Sequence, residues 1–395
     1  SDDYTQIWLG RQYGPPSGWS ELARDPLYRC RATSIWMTYW TERLFGASAP
    51  VLNASSLALH VLNTWLVFAL GAWRAVGWRV AALAAAFFAV HEGHQEAVMW
   101  YAALPELLVF FFAVLALLAW ILWVQSGATR FSYYAASLIL FVLALLSKES
   151  AVALVPLLVL PAWTGRLPWK KTVLSLAPFA GLAAVYVTLA FSGRDDHLHF
   201  RDGTFSLSAP VWITLPNSAL RLFWIWGVAS LLYLGIRRAK EWTRLLALAG
   251  CWVVVTLLPY SFLTYMPRVP SRHLYLASAG LALVVAAGFL TFHERRRPAR
   301  RWAVVTLATV IVLHNCLYLW TKKRDQYVRR AAPVEALIDF SRKTEGRIHV
   351  KCFHYGEVIA RHAVEIGAGK PPSLLVWNPL ASPQDGPVFC DETQP

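Results

Sequence analysis

The chain has 395 residues, of which 57% are hydrophobic and only 15% are charged. A soluble domain carries about a quarter charged residues and rarely an apolar run beyond about 12, so the long runs described below exclude an ordinary soluble globule. The net charge of +14 invites a nucleic-acid partner, but the basic residues gather in alternate connectors between apolar runs, which excludes that class.

Residues 1–50 begin with two adjacent carboxylates, Asp2 and Asp3, followed by the loop signals Gly14, Pro15, Pro16 and Gly18. Ile35, Trp36, Tyr39, Trp40 and Leu44 then recur at helical spacing. This predicts a helix lying in a membrane interface with its aromatics at headgroup level. From 51 to 320 the chain is an expected polytopic transmembrane domain. Windows 51–73, 104–124, 172–191, 245–263, 274–292 and 302–320 approach or exceed the ~20 residues that cross ~30 Å of hydrocarbon. Windows 79–98, 131–147, 149–163 and 210–235 bring the expected number of spans to about ten. The fold class is therefore an all-α integral membrane protein. Residues 321–395 are an expected small extracytoplasmic domain of α/β type, with RIHVKCFHY as a strand, GEVIARHAVEI as a helix and SLLVWN as a second strand. No internal repeat of fixed period is visible.

The connectors alternate in chemistry. One set holds Arg74 and Arg79; Arg130; Arg166, Lys170 and Lys171; Arg237, Arg238, Lys240 and Arg244; and Arg295, Arg296, Arg297, Arg300 and Arg301, which makes 15 basic residues. The other set holds 5: Lys148, Arg194, Arg201, Arg268 and Arg272. Basic connectors stay cytoplasmic, so the second set, together with both ends of the chain, is expected outside, in a periplasm-like or lumenal space. The basic stretch Lys322 to Arg330 breaks the pattern, but it adjoins a folded tail, and longer domains translocate largely regardless of charge. An upstream anchoring span before residue 1 is expected from this orientation. Cys251 and Cys316 fall inside apolar runs, where inert buried thiols are the ordinary finding. Cys352 and Cys390 share the outer tail, where a disulfide is allowed.

Four groups on the outer set carry possible chemistry. Asp2 and Asp3 are either simply solvated or, placed over a membrane pocket, a base for an acceptor hydroxyl and a partner for a divalent cation. In His91-Glu92-Gly93-His94-Gln95-Glu96-Ala97-Val98-Met99-Trp100, four ionisable residues close an apolar run. Such groups are costly in a membrane, so they are functional candidates, although interhelix hydrogen bonding is an alternative. The zinc-protease pattern needs two His four apart and is not met. Ser147-Lys148-Glu149 either snorkels to the surface or offers a point charge to phosphate. Arg268, Arg272 and His273 either anchor the rim or bind phosphate, to which the guanidinium fork is suited. Carboxylates and cations on one face suit transfer from a phosphate-linked lipid donor.

The string His94-Gln95-Glu96-Ala97-Val98-Met99-Trp100 is similar to the H-x-E-A-V-x-W motif of GT-C-type polytopic glycosyltransferases. The resemblance is greatest to bacterial relatives of the transmembrane O-mannosyltransferases that act on cadherins. Ser147-Lys148-Glu149 matches the family's S-K-E, and Arg272-His273-Leu274-Tyr275-Leu276-Ala277-Ser278 matches its R-Y-L-Y-L-P-S. Arg31 stands before Leu44-Phe45-Gly46 as the family arginine stands before its L-F-G, and His60 and Asn63 match an H-x-x-N. The five agree in order over roughly residues 2–330. The resemblance implies a first outer loop whose acidic pair, here Asp2 and Asp3, is catalytic. It implies a dolichyl- or undecaprenyl-phosphate sugar as donor and inversion without a covalent sugar–enzyme step. His94, Glu96, Arg31 and Glu106 are then expected at the sugar or acceptor, and Lys148, Arg268, Arg272 and His273 at the lipid phosphate. The acceptor is a hydroxyl on protein, lipid or glycan, and the location is the bacterial inner membrane. The chain departs from the pattern where the family has H-P (here His91-Glu92), R-x-D-L (Leu104-Pro105-Glu106-Leu107) and R-P-L (Arg31-Ala32-Thr33), and at its polar positions Asn53 and Ser56. It has no tetratricopeptide tail.

Two rival functions remain. A polyprenyl-glycan transporter or flippase requires polar groups and broken helices at mid-membrane, whereas the polar groups here lie at one rim. A non-catalytic scaffold would use the outer tail to hold a partner.

Overall fold

The computed structural model describes residues 2–195, 204–264, 267–294, 301–382, 384 and 386–391. Arg201 and the basic residues Arg295, Arg296, Arg297 and Arg300 lie outside the described residues. The principal helices are α1 (Asp3–Tyr13), α2 (Ala32–Phe45), α3 (Ala49–Ala69), α4 (Trp78–Val90), α5 (Leu104–Gln125), α6 (Phe131–Leu145), α7 (Trp169–Phe191), α8 (Val211–Ile236), α9 (Thr243–Leu257), α10 (Ser278–Glu294), α11 (Arg301–Tyr318), α12 (Arg324–Lys343) and α13 (Glu357–Ala363). The chain divides into two compact units: residues 20–34 with 53–316, and residues 1–19, 35–52 and 317–395.

The apolar windows of the sequence are largely helical. Six helical stretches are long and apolar enough to cross a membrane: Ala49–Ala72, Tyr101–Gln125, Trp169–Phe191, Val211–Ile236, Lys240–Phe262 and Trp302–Lys343. Four are shorter: Trp78–Val90, Phe131–Leu145, Glu149–Thr164 and Ser278–His293. The window expected at 79–98 ends at Val90 because the run of four ionisable residues begins there; a 3₁₀ turn, Glu92–His94, and a one-turn helix, Gln95–Met99, follow. The stretch 149–163 is divided into a 3₁₀ turn, Glu149–Ala153, and two short helices, Leu154–Leu157 and Val159–Thr164; Pro156 and Pro161, one in each helix, lack the N–H that would bond back across the boundary before them.

Burial separates central helices from peripheral ones. Of the apolar window in α5, 67% is buried, against 11% in α7 and 17% in α8. The apolar faces those two leave uncovered are what hydrocarbon, and not water, would solvate. α10 is short but central, packing against α4, α8 and α9. Gly280 permits that approach, since a Cβ there would lie 2.8 Å from the Ala249 carbonyl oxygen. α8 kinks at Trp224, where its neighbours are apolar.

The second unit contains a three-stranded parallel sheet, β1 (Ile348–Cys352), β2 (Leu375–Trp377) and β3 (Val388–Cys390), in the order β2-β1-β3. Ile348 pairs with Leu375, and Val350 with both Trp377 and Phe389. Val334, Leu337 and Ile338 of α12 cover it together with Ala360, Ala363 and Val364. Cys352 and Cys390 form a disulfide. The two expected strands and the helix between them are all present; α12 and β3 are additional. α1 also belongs here. Trp8 stacks on His362 at 4.5 Å, the Thr5 Oγ1 lies 3.1 Å from His362 Nδ1, and the Tyr4 hydroxyl donates to Glu335 at 3.0 Å.

Candidate active site

Three interruptions of helix bring polar residues to one end of the first unit. The break at Ser147-Lys148-Glu149 is a joint in which consecutive side chains engage different segments. Ser147 accepts from the Thr33 hydroxyl at 2.8 Å, Lys148 donates to Glu106, and Glu149 lies 3.8 Å from Arg31. The extended backbone at Lys148 (φ −165°, ψ 149°) turns successive side chains in opposite directions.

Segment 271–278 is the second interruption, and it bonds to all the others. The Ser271 hydroxyl and the Arg272 guanidinium each donate to Glu96 at 2.7 Å, and the Arg272 backbone N–H adds a third bond at 3.2 Å. Ser271 also accepts from Gln95. His273 Nδ1 lies 2.5 Å from Glu106 Oε1. The Tyr275 hydroxyl lies 2.7 Å from His60 Nδ1 and accepts from Asn63. His94 Nε2 lies 2.7 Å from Ser278 Oγ; because Ser278 already donates to the Tyr275 carbonyl, His94 is the donor here and carries its proton on Nε2.

Glu106 is the most enclosed of the acidic and basic side chains here. It sits at the first turn of α5, where the helix dipole favours an anion, and is 2% exposed. Lys148 and His273 face its Oε1, and the Tyr260 hydroxyl donates to its Oε2 at 2.8 Å. Tyr260 stacks on the His273 ring at 4.4 Å. Burial, aided by the charge of Lys148, pushes His273 down to about 4. At neutral pH it is therefore uncharged and donates to Glu106. Burial pushes His94 well below its ordinary value, and the other two imidazoles add to the shift. For Glu96, burial works upward, but the Arg272 charge and the bonds from Ser271 and Arg272 outweigh it, and the net shift is down.

Of the residues expected at substrate or phosphate, His94, Glu96, Glu106, Lys148, Arg272 and His273 are brought into this connected set. Arg31 joins it through Glu149. Arg268 is exposed, three residues before Ser271. Arg272 is partly open, its side chain 22% exposed and stacked 4.8 Å over the Trp100 ring. Asp2 and Asp3 belong to the second unit: Asp2 occupies the position before α1, with no side-chain cap bond, and Asp3 lies in its first turn. Tyr260, Gln95, Ser271 and Ser278 were given no role from sequence, Gln95 and Ser278 entering only as letters of longer strings, because nothing in a neutral polar residue marks its partner. Among the described residues no group of three or more His, Cys, Asp or Glu has metal-holding geometry.

Chemically, the set holds cations already paired with carboxylates: Arg272 is held by Glu96 and Lys148 by Glu106, and Arg31 lies more loosely, 3.8 Å from Glu149. An arriving phosphate would share charges that are already in place, which lowers the reorganisation that binding would otherwise demand.

No family model and no curated protein matches the chain. Among solved structures it is similar to the archaeal oligosaccharyltransferase AglB from Archaeoglobus fulgidus in complex with an inhibitory peptide and a dolichol-phosphate. The TM-score is 0.53 at 14% identity, over 93% of this chain and 60% of that one. An Archaeoglobus fulgidus oligosaccharyltransferase tethered to an acceptor peptide containing the NVT sequon aligns with a TM-score of 0.48 at 14% identity, over 86% of this chain and 55% of that one. The chain thus spans 60% of the length of the first of these structures. At such identity the likeness is one of fold alone: the mostly helical chain shares its architecture with the first of these structures.

Proposed function

We propose that the chain is a multi-pass membrane glycosyltransferase that moves a sugar, with inversion, from a polyprenyl-phosphate-linked donor to an acceptor hydroxyl at the extracytoplasmic face. On this reading residues 1–50 are the first outer loop, 51–320 the membrane domain of about ten spans, and 321–395 the outer tail. The observation that carries the proposal is the convergence of Glu96–Arg272 with Glu106–Lys148–His273 at one end of the apolar helices, on a GT-C-like fold.

In the reaction, Asp3 takes the proton of the acceptor hydroxyl, with Asp2 beside it. The freed oxygen attacks the anomeric carbon, the bond from that carbon to the phosphate oxygen breaks, and the lipid phosphate leaves with the electron pair. Arg272 and Arg268 meet the charge on the phosphate, with Lys148 and His273 behind them. His94, Glu96, Glu106 and Arg31 set the sugar and acceptor site.

The test is transfer of a radiolabelled sugar from a panel of polyprenyl-phosphate donors by the purified chain in lipid vesicles. Asp3→Asn should lower transfer on the order of 10²–10⁴-fold with folding unchanged. Full activity in that variant would remove Asp3 from its role. Chelation with EDTA tests a divalent cation at the acidic pair: a metal-assisted reaction loses turnover, and a metal-free one keeps it.

A further inference from the structure

At the far end of the same helices lies a second polar site. α5 runs from Glu106 to Gln125, about 28 Å at 1.5 Å per residue, and Gln125 lines a cavity of ≈ 380 Å³. Arg74, Arg166 and Arg244 also line it, and among the described residues no Asp or Glu does. Arg74 and Arg166 come from two separate connectors and Arg244 from the first turn of α9, and none is ion-paired with a carboxylate among the described residues. Like charges brought together from distant parts of a chain repel, and the arrangement is stabilised when an anion joins it.

The surround is built. Trp73 Nε1 donates to Thr164 Oγ1 at 2.9 Å, the Arg74 N–H donates to Gln125 Oε1 at 3.1 Å, and Gln125 donates to the Ala72 carbonyl at 3.0 Å. Arg244 donates to the Thr164 carbonyl at 3.1 Å and lies 5.6 Å over the Trp163 ring. Arg166 holds a left-handed conformation, φ +57°. It ends the helix Val159–Thr164 by bonding to the Trp163 carbonyl, while Leu167 bonds to that of Ala162. Glycine is the usual residue at that position, and a side chain there costs about 1–2 kcal/mol. Gly165 beside it has no room for a Cβ, which would lie 2.4 Å from Val124 Cγ1. The chain thus carries an arginine where local backbone geometry favours glycine, and that arginine lines the cavity.

We propose that this cavity binds the phosphate of an anionic phospholipid headgroup. Guanidinium forks suit phosphate oxygens, and the volume lies within the range of ligand sites. A free phosphate offers the same chemistry. The lipid is favoured because Trp78, Trp163 and Trp169, at the ends of helices beside these connectors, are all more than half exposed, as aromatics are at headgroup level.

The experiment uses the full chain in a neutral maltoside detergent and reads Tm against added dioleoylphosphatidylglycerol, dioleoylphosphatidylcholine or inorganic phosphate. Phosphatidylglycerol should raise Tm by a few degrees through binding to the folded state, and phosphatidylcholine should not. Arg244→Gln and Arg74→Gln should each weaken the apparent affinity on the order of tenfold, and Arg130→Gln, outside the cavity, should leave it unchanged. Arg166→Gly separates folding from binding: it relieves the left-handed strain, so Tm without lipid should hold or rise while the lipid-induced shift falls. Three results would overturn the proposal: an undiminished shift in Arg166→Gly and Arg244→Gln, an equal shift with phosphatidylcholine, or a response to inorganic phosphate alone.

Discussion

Glu106 explains why its neighbours are what they are. A carboxylate 2% exposed at the head of an apolar helix is tolerated only when its oxygens are satisfied, and here Lys148, His273 and Tyr260 satisfy them. Removing one partner leaves an uncompensated buried charge. Lys148→Met should therefore cost on the order of 3–5 kcal/mol of stability. Adding Glu106→Gln to it should recover most of that loss, because the orphaned charge goes as well. Thermal unfolding in detergent of both single variants and the double one forms the cycle that measures the coupling; additive losses would mean that the two residues do not act as a pair. The residue types were legible in the sequence, since ionisable side chains at the edge of apolar runs stand out. Their pairing was not. Glu106 and Lys148 are 42 positions apart, and no periodicity links them. Lys148 read alone is a free cation for phosphate; in the structure its charge is already shared with Glu106.

At the scale of an element, segment 271–278 is the clamp. One 3₁₀ turn and the residues after it bond to Glu96, Glu106, His60, Asn63 and His94. Two of its contacts depend on protonation. The folded value of about 4 for His273 lies below the ordinary 6.5. On acidification the unfolded chain thus takes the proton first, so the contribution of this residue is full above about pH 6.5 and is lost as pH falls towards 4. Glu96 is also held below its ordinary carboxylate value, and its contribution is lost at still lower pH. A Tm profile should therefore fall from pH 6.5 to 4, and His273→Gln should flatten that limb while leaving the acid limb of Glu96. An unchanged profile in the variant would show that His273 does not titrate in this window. The elements themselves were mostly readable: ten apolar windows became helices, and the alternation in RIHVKCFHY became β1. The helix α1 was hidden by the loop signals that follow it, and β3 is only three residues long, too short for a periodic signal. The disulfide that ties β3 to β1 was readable only as allowed, because sequence carries no distance.

At the scale of the whole molecule the charges act as a sum. The basic connectors exceed the others by ten Lys and Arg residues, 15 against 5. At roughly 1 kcal/mol for each cation near an anionic leaflet, the excess amounts to about 10 kcal/mol, more than any single connector can oppose. Orientation is therefore a collective property, and it decides which aqueous space meets Glu96 and Arg272. The structure offers two exposed reporters on opposite connector sets, Thr129 between α5 and α6 and Ser208 before α8. With Cys30, Cys251 and Cys316 replaced by Ser, Ser208→Cys in intact cells should react with a membrane-impermeant maleimide, and Thr129→Cys should react only after permeabilisation. The reverse pattern would put the Glu96–Arg272 end in the cytoplasm and the arginine cavity outside, and the donor would then have to be a cytoplasmic-face lipid. Neutralising one connector, for example Lys170→Gln with Lys171→Gln, should leave the labelling pattern unchanged, because eight basic residues of excess remain; if two substitutions inverted it, a local signal and not the summed charge would set the topology.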